Sequence, residues 1–202
     1  MDAIRLIIVA VGGQGNLLAT KVLGEAALLA GVPVRMSEIH GMAQRGGVVE
    51  SAVVFGEADS MLISDGEADV LVGFEPAETL RALGKCNSNT VVITNLAPLP
   101  PFTVAIGKGV YPDLEKLQEL IRAKTKQLIA FDALALAKKA GTTMALNMVL
   151  LGALIQADVI PIGAGHVRTA IETKTKPAFA AINREAFDQG YAAAQASNNS
   201  HP

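Results

Sequence analysis

The residues of this 202-residue chain that could do chemistry gather in two glycine-rich stretches. The first is Gly12-Gly13-Gln14-Gly15-Asn16, and the second is Ser37-Glu38-Ile39-His40-Gly41-Met42-Ala43-Gln44-Arg45-Gly46-Gly47. Glycine permits positive φ and close backbone approach, so such loops can gather N–H groups around an anion or a partner's backbone. Arg45, beside Gly46 and Gly47, could form a forked clamp on an anion. It could equally pair with Glu38 or Glu50 on a loop that needs a pliable backbone. His40 is a candidate general acid or base, although a lone loop histidine more often serves structure.

Tests for a complete catalytic apparatus fail one by one. Gly13-x-Gly15 follows a strand and precedes a helix, as the dinucleotide fingerprint requires, but its third glycine position is Leu18. The turn can instead close a strand–helix corner or hold a phosphate at a helix N-terminus. No phosphate-binding G-x-x-x-x-G-K-[ST] loop and no G-x-S-x-G nucleophile elbow is present. The nearest approach to a thiamine diphosphate signature, Ser64-Asp65-Gly66, lacks the Asn-Asn pair expected some thirty residues later. His166 reads as a surface or capping residue and Met42 as a packing anchor.

Composition narrows the partners. With net charge −2 and no long basic run, neither a nucleic-acid surface nor an anionic-membrane surface is indicated. The absence of tryptophan, with two tyrosines and six phenylalanines, argues against stacking platforms for single strands. Cys86 is the single cysteine, so the chain forms no internal disulfide, and its cysteine content cannot supply an iron–sulfur cluster or a Cys-rich zinc site. His40, His166 and His201 lack a metal-ligand spacing, and no metal site is expected. Apolar runs fall short of a membrane span, and a cytoplasmic location is expected.

The elements that must position the two loops follow from hydrophobic pattern. Ile4–Val11 is an apolar run broken only by Arg5, as in a strand buried on both faces. A helix from about Leu17 to Leu29 ends at Gly31, and strands follow at Val34–Ser37 and Val48–Phe55. Further strands are expected at Ala68–Phe74, Thr90–Thr94 and Gln127–Phe131, with a short one near Thr103–Ile106. Helices are expected from Ala77, Asp113, Ala133, Thr143, His166 and Pro177. Asn147, inside an apolar helix, must find a hydrogen bond and could pin the C-terminal helices to a loop of the sheet. These expectations define a single α/β domain over 1–195, with a mostly parallel sheet flanked by helices, a Rossmann-like N-terminal βαβ and a helical C-terminal portion. Residues 196–202 are expected to be a disordered tail.

The two glycine loops together resemble the gamma domain of 2-oxoacid:ferredoxin oxidoreductases, and within that family the small (beta) subunits of the indolepyruvate type. The resemblance extends through Ala68–Glu75, Asn147, Gly152-Ala153-Leu154, Asn183 and Gly190. It implies a subunit of an enzyme that converts a 2-oxoacid and coenzyme A to acyl-CoA, carbon dioxide and reduced ferredoxin. Thiamine diphosphate, magnesium and iron–sulfur clusters are then expected on partner subunits, with ferredoxin reached through the complex. No catalytic residue is assigned to this chain. Gly12, Gly13, Gln14, Gly15, Glu38, His40, Gln44, Arg45, Gly46 and Gly47 are expected to face the ligand or the active-site partner. The isolated chain is expected to be prone to self-association through that face. The alternative is a free-standing nucleotide- or phosphate-binding module using Gly12–Gly15.

Overall fold

A computed structural model describes residues 2–40, 47–58, 60–100, 104, 106–107 and 109–198. Six strands form one sheet in the order β2-β3-β1-β4-β5-β6. They are β1 (Ile4–Val11), β2 (Val34–His40), β3 (Val48–Phe55), β4 (Ala68–Gly73), β5 (Cys86–Asn95) and β6 (Gln127–Phe131). β1 pairs in parallel with β4, β4 with β5 and β5 with β6, whereas β3 runs antiparallel to both β1 and β2. The first βαβ unit is therefore split. β1 and β2 run the same way, but β3 is inserted between them.

The alternation of side chains along β1 feeds two cores, because successive residues point to opposite faces. Leu6, Ile8 and Ala10 enter the larger one, with α1 (Asn16–Leu29) and the C-terminal helices. Ile7 and Val9 enter the smaller one, with Leu117 and Ile121 of the helix Leu114–Lys124. The helices complete a three-layer sandwich: α2 (Pro76–Arg81), α3 (Leu114–Lys124), α4 (Ala133–Ala140), α5 (Leu146–Gln156), α6 (Ala164–Lys174) and α7 (Pro177–Asn198). α5 is buried along Leu146–Ile155, as an all-round apolar helix must be. Where it crosses α7, glycine faces backbone on both sides. A Cβ at Gly152 would overlap the Phe187 carbonyl oxygen, and one at Gly190 the Val149 carbonyl oxygen.

Several boundaries differ from the sequence reading for physical reasons. β2 continues through Glu38 and His40 because each finds a ladder partner on β3, so both belong to a strand rather than a loop. β5 begins at Cys86, earlier than Thr90, because Ala68 pairs with Cys86 across a register shift. Thr143–Ala145 is a 3₁₀ turn preceding α5. α7 continues to Asn198, past the end placed at Gln195, and residues 199–202 lie outside the described residues. The strand expected near Thr103–Ile106 falls partly outside them, and Val104 accepts a turn bond from Gly107 N–H at 3.0 Å.

Cys86 is only 1% exposed, and burial pushes its thiol up to about 11. The unfolded thiol ionises first as pH rises, so this contribution to stability is complete below about pH 9 and is lost towards pH 11. We expect native protein at pH 8 to react with a thiol reagent only as fast as it unfolds. A rapid stoichiometric reaction would contradict that placement.

Candidate functional site

The sequence places a tight corner where β1 ends, and the fold places that corner at a topological switch point. From β1 the chain passes through α1 on the face of the larger core. From the neighbouring β4 it passes through α2 on the opposite side, towards β5. Such a divergence opens a crevice at the carboxyl ends of parallel strands, where ligands and partners bind in open α/β sheets.

Gln14 closes the crevice floor. Its Oε1 accepts the Val11 N–H at 2.8 Å, and its Nε2 donates to the Phe74 carbonyl at 3.2 Å, tying the end of β1 to the end of β4. The same Phe74 carbonyl accepts Asn95 Nδ2 at 3.1 Å, and Asn95 Oδ1 accepts the N–H groups of Ala97 and Ala133, each at 3.1 Å. One amide at each strand end thus locks three loops into one rim.

Gly15 is the N-cap of α1, at φ 82° and ψ 27°, with no side-chain cap on the helix. Its carbonyl accepts Asn147 Nδ2 from α5 at 3.1 Å, the pin that a polar residue in an apolar helix requires. A Cβ at Gly15 would lie 2.6 Å from that nitrogen. Gly15→Ala combines left-handed backbone strain with loss of the pin, and we expect a cost of about 2–3 kcal/mol in urea unfolding. An unchanged midpoint would show that neither constraint is real.

Gly47, the last residue of the second glycine stretch, reaches the same rim. The Gly12 N–H donates to the Gly47 carbonyl at 2.9 Å, and Val11 pairs with Val48. The His40 backbone pairs with Val49 at the end of the β2–β3 ladder, so it stands on the edge strand, with β3 between it and β1. Gln44, Arg45 and Gly46 lie outside the described residues, as do Gly41 and Met42. Glu38 does not join the corner. It sits on the edge strand opposite Ser51, two strands or about 10 Å from β1. His166, as expected, is exposed in the first turn of α6.

Three contributors were not singled out from sequence. Asn16 Nδ2 donates to the Ile8 and Val49 carbonyls at 3.4 and 3.3 Å, while its buried Oδ1 finds no donor among the described residues. Asn95 is 1% exposed at the end of its strand. Glu75 is equally buried; one oxygen caps α2 through the Glu78 N–H at 3.0 Å. Its other oxygen accepts the Leu99 N–H at 3.2 Å and the Tyr111 hydroxyl, holding both ends of the proline-rich segment. Burial and the Glu75 contact both raise the Tyr111 phenol, which stays protonated and donating. Burial likewise raises Glu78, with Arg81 opposing it. A polar residue at the end of an apolar run was the available signal for Asn95 and Glu75, and a polar residue closing the glycine corner was the signal for Asn16.

The rim encloses a cleft of about 210 Å³, lined by Gly13, Gln14, Asn95, Leu99 and Met144 among others. Gly13 is exposed at its mouth, and nothing lies within 4 Å of where its Cβ would stand. Leu99 and Met144 expose apolar surface at this cleft. Among the described residues, no three His, Cys, Asp or Glu side chains form a metal-binding group, and no helix is long and apolar enough to cross a membrane.

Comparison with known proteins agrees over nearly the whole chain. A model of the pyruvate ferredoxin/flavodoxin oxidoreductase family matches residues 5–193. The indolepyruvate oxidoreductase subunit IorB of Pyrococcus horikoshii is 40% identical over 197 residues, covering 96% of this chain and 98% of that protein. Its counterpart in Archaeoglobus fulgidus is 39% identical over 188 residues, covering 93% and 94%. Among solved structures, the gamma subunit of a keto/oxoacid ferredoxin oxidoreductase from Geobacter sulfurreducens superposes with TM-score 0.70 at 23% identity, covering 96% of this chain and 99% of that one. The 2-oxoglutarate:ferredoxin oxidoreductase of Magnetococcus marinus gives TM-score 0.71 at 20% identity, over 97% of this chain but 32% of that one. The chain belongs to the pyruvate ferredoxin/flavodoxin oxidoreductase family, and its fold is that of the gamma subunits.

Proposed function

We propose that this chain is the small subunit of an aryl-pyruvate (indolepyruvate-type) 2-oxoacid:ferredoxin oxidoreductase, and that its glycine rim docks on the subunit bearing the active site. The observation that carries this reading is the Gly12 N–H bond to Gly47, which joins the glycine corner to the last residue of the second glycine stretch, in a chain with indolepyruvate oxidoreductase relatives matched over nearly their full length. The reaction converts a 2-oxoacid, coenzyme A and two oxidised ferredoxins to acyl-CoA, carbon dioxide, a proton and two reduced ferredoxins. Thiamine diphosphate and iron–sulfur clusters supply decarboxylation and electron transfer in such an enzyme. The single thiol, Cys86, is sealed in the smaller core and does not fit an iron–sulfur cluster, and the sequence lacks the thiamine diphosphate signature. Both groups are assigned to partner subunits.

The chain's own contribution is positional. Gln14 and Asn95 fix the rim, the uncapped start of α1 presents N–H groups, and Gly13 leaves room for close approach. Arg45, between His40 and Gly47 in the sequence, is proposed to meet a coenzyme A phosphate or the substrate carboxylate. Arg45→Ala in the assembled enzyme is expected to raise one of the two Michaelis constants by about 10–100-fold, the value of a charge-assisted hydrogen bond. Unchanged constants for both would remove that role. Docking itself is tested by hydrogen exchange, where residues 12–15 and 47 should gain protection on assembly. Unaltered exchange there would place the interface elsewhere.

A further inference from the structure

Beneath the first turn of α1 the sheet turns polar within an otherwise apolar row. Ser51 stands on β3 opposite Ile8, and side chains of opposite residues share a face, so its hydroxyl lies on the face that α1 covers. Val53 and Phe55 continue that row into the larger core, and serine is its smallest member. Glu38 stands opposite Ser51 on β2 and shares the face, with its Oε1 shielded from solvent. Asn16 reaches down from the helix. Its Nδ2 bonds to the Ile8 and Val49 carbonyls set the carboxamide over the β1–β3 seam, next to the Ile8–Ser51 pair.

Two atoms of this cluster lack what they need. Asn16 is 4% exposed and Ser51 1%, yet Asn16 Oδ1 and Ser51 Oγ meet no hydrogen-bond partner among the described residues. Both atoms are sealed from bulk solvent. A buried polar atom gives up its bonds to water, and nearly all such atoms in folded proteins regain a partner in protein or ordered water. Here one atom belongs to the helix and the other to the sheet, so a single molecule between them would satisfy both.

The chemistry of the pair selects that molecule. A carboxamide oxygen only accepts, whereas a hydroxyl donates and accepts. An anion could not serve the carboxamide oxygen, and a cation would be opposed by the partial positive charge at the start of α1. We infer that one buried water molecule sits between α1 and β3, donating to Asn16 Oδ1 and accepting the Ser51 hydroxyl. Its second hydrogen is available to Glu38 Oε1, since a carboxylate oxygen can accept a further bond whatever else it holds. Three bonds are the usual complement of a buried water. The water fastens the residue after Gly15 to β3 and so holds the glycine corner against the sheet from beneath. Gln14 holds the same corner from the end of β4, and Asn147 holds it from α5. The site does not depend on the subunit reading above.

The test is a crystal structure of the full chain that resolves ordered water, together with Ser51→Ala in solution. A water peak within hydrogen-bonding distance of both Asn16 Oδ1 and Ser51 Oγ is expected. No peak there, or a direct bond between the two side chains, would overturn the inference. So would a peak with the short, multiple oxygen contacts of a metal ion. In solution the sign of the effect separates the cases. Where a water bridges, Ser51→Ala strips it of a partner, and the unfolding equilibrium constant in urea should rise about fivefold, the value of one hydrogen bond. Hydrogen exchange should also quicken at Ala19, whose N–H closes the first turn on the Gly15 carbonyl at 3.1 Å. Where none bridges, the substitution removes an unsatisfied hydroxyl and leaves the protein as stable as the parent or more so, which would overturn the inference.

Discussion

Gly190→Ala is expected to remove about 3 kcal/mol of stability or more, and to lower the melting temperature by about 6–12 °C for a chain of this size. The added methyl would occupy the position of the Val149 carbonyl oxygen, and backbone cannot rotate aside as a side chain can. α7 would have to lift from α5, and with it Phe187, which is fully buried and packs with Tyr191 at 6.5 Å between ring centroids. Gly152→Ala meets the Phe187 carbonyl from the other side and should cost a similar amount. The two changes together should cost less than their sum, because one displacement of α7 relieves both. Thermal unfolding of the three variants measures this. Full additivity, or a loss below about 1 kcal/mol, would mean the helices do not cross as closely as described.

Glu75→Ala is expected to cost about 3–5 kcal/mol, combining a lost helix cap with two donors deprived of their acceptor. The donors are the Leu99 N–H and the Tyr111 hydroxyl, and Leu99 walls the cleft beside Gln14. The change should therefore also raise hydrogen exchange at Leu99 and weaken assembly more than the loss of stability alone explains. Tyr111→Phe removes one donor and leaves the cap, so it should cost only about 1–2 kcal/mol. If both variants unfold at the same midpoint, Glu75 anchors nothing beyond Tyr111. If exchange at Leu99 is unchanged in Glu75→Ala, the carboxylate does not hold the wall.

The strands were legible because short apolar runs such as Leu6–Val11, ended by glycine, fit a strand buried on both faces. Asn147 was legible too, since a polar residue in an apolar helix must bond, and it bonds to the loop of the sheet. The insertion of β3 between β1 and β2 was not, because hydrophobic runs specify burial but not neighbours. Only pairing shows that Ile8 lies opposite Ser51 and Ser51 opposite Glu38. That same pairing moved Glu38 from the imagined loop to the edge strand. Asn95 and Glu75 escaped notice because each follows an apolar run as an ordinary polar residue. Their weight comes from three chain segments that meet only in the folded sheet.

The most direct measurement is affinity purification of the tagged chain from its own cells, with mass spectrometry and a thiamine assay of whatever accompanies it. The account predicts a stoichiometric partner that carries thiamine diphosphate and iron–sulfur clusters, and aryl-pyruvate oxidation with ferredoxin in the recovered complex. Recovery of the chain alone, under conditions that keep complexes intact, would contradict it and favour a free-standing nucleotide- or phosphate-binding module built on Gly12–Gly15.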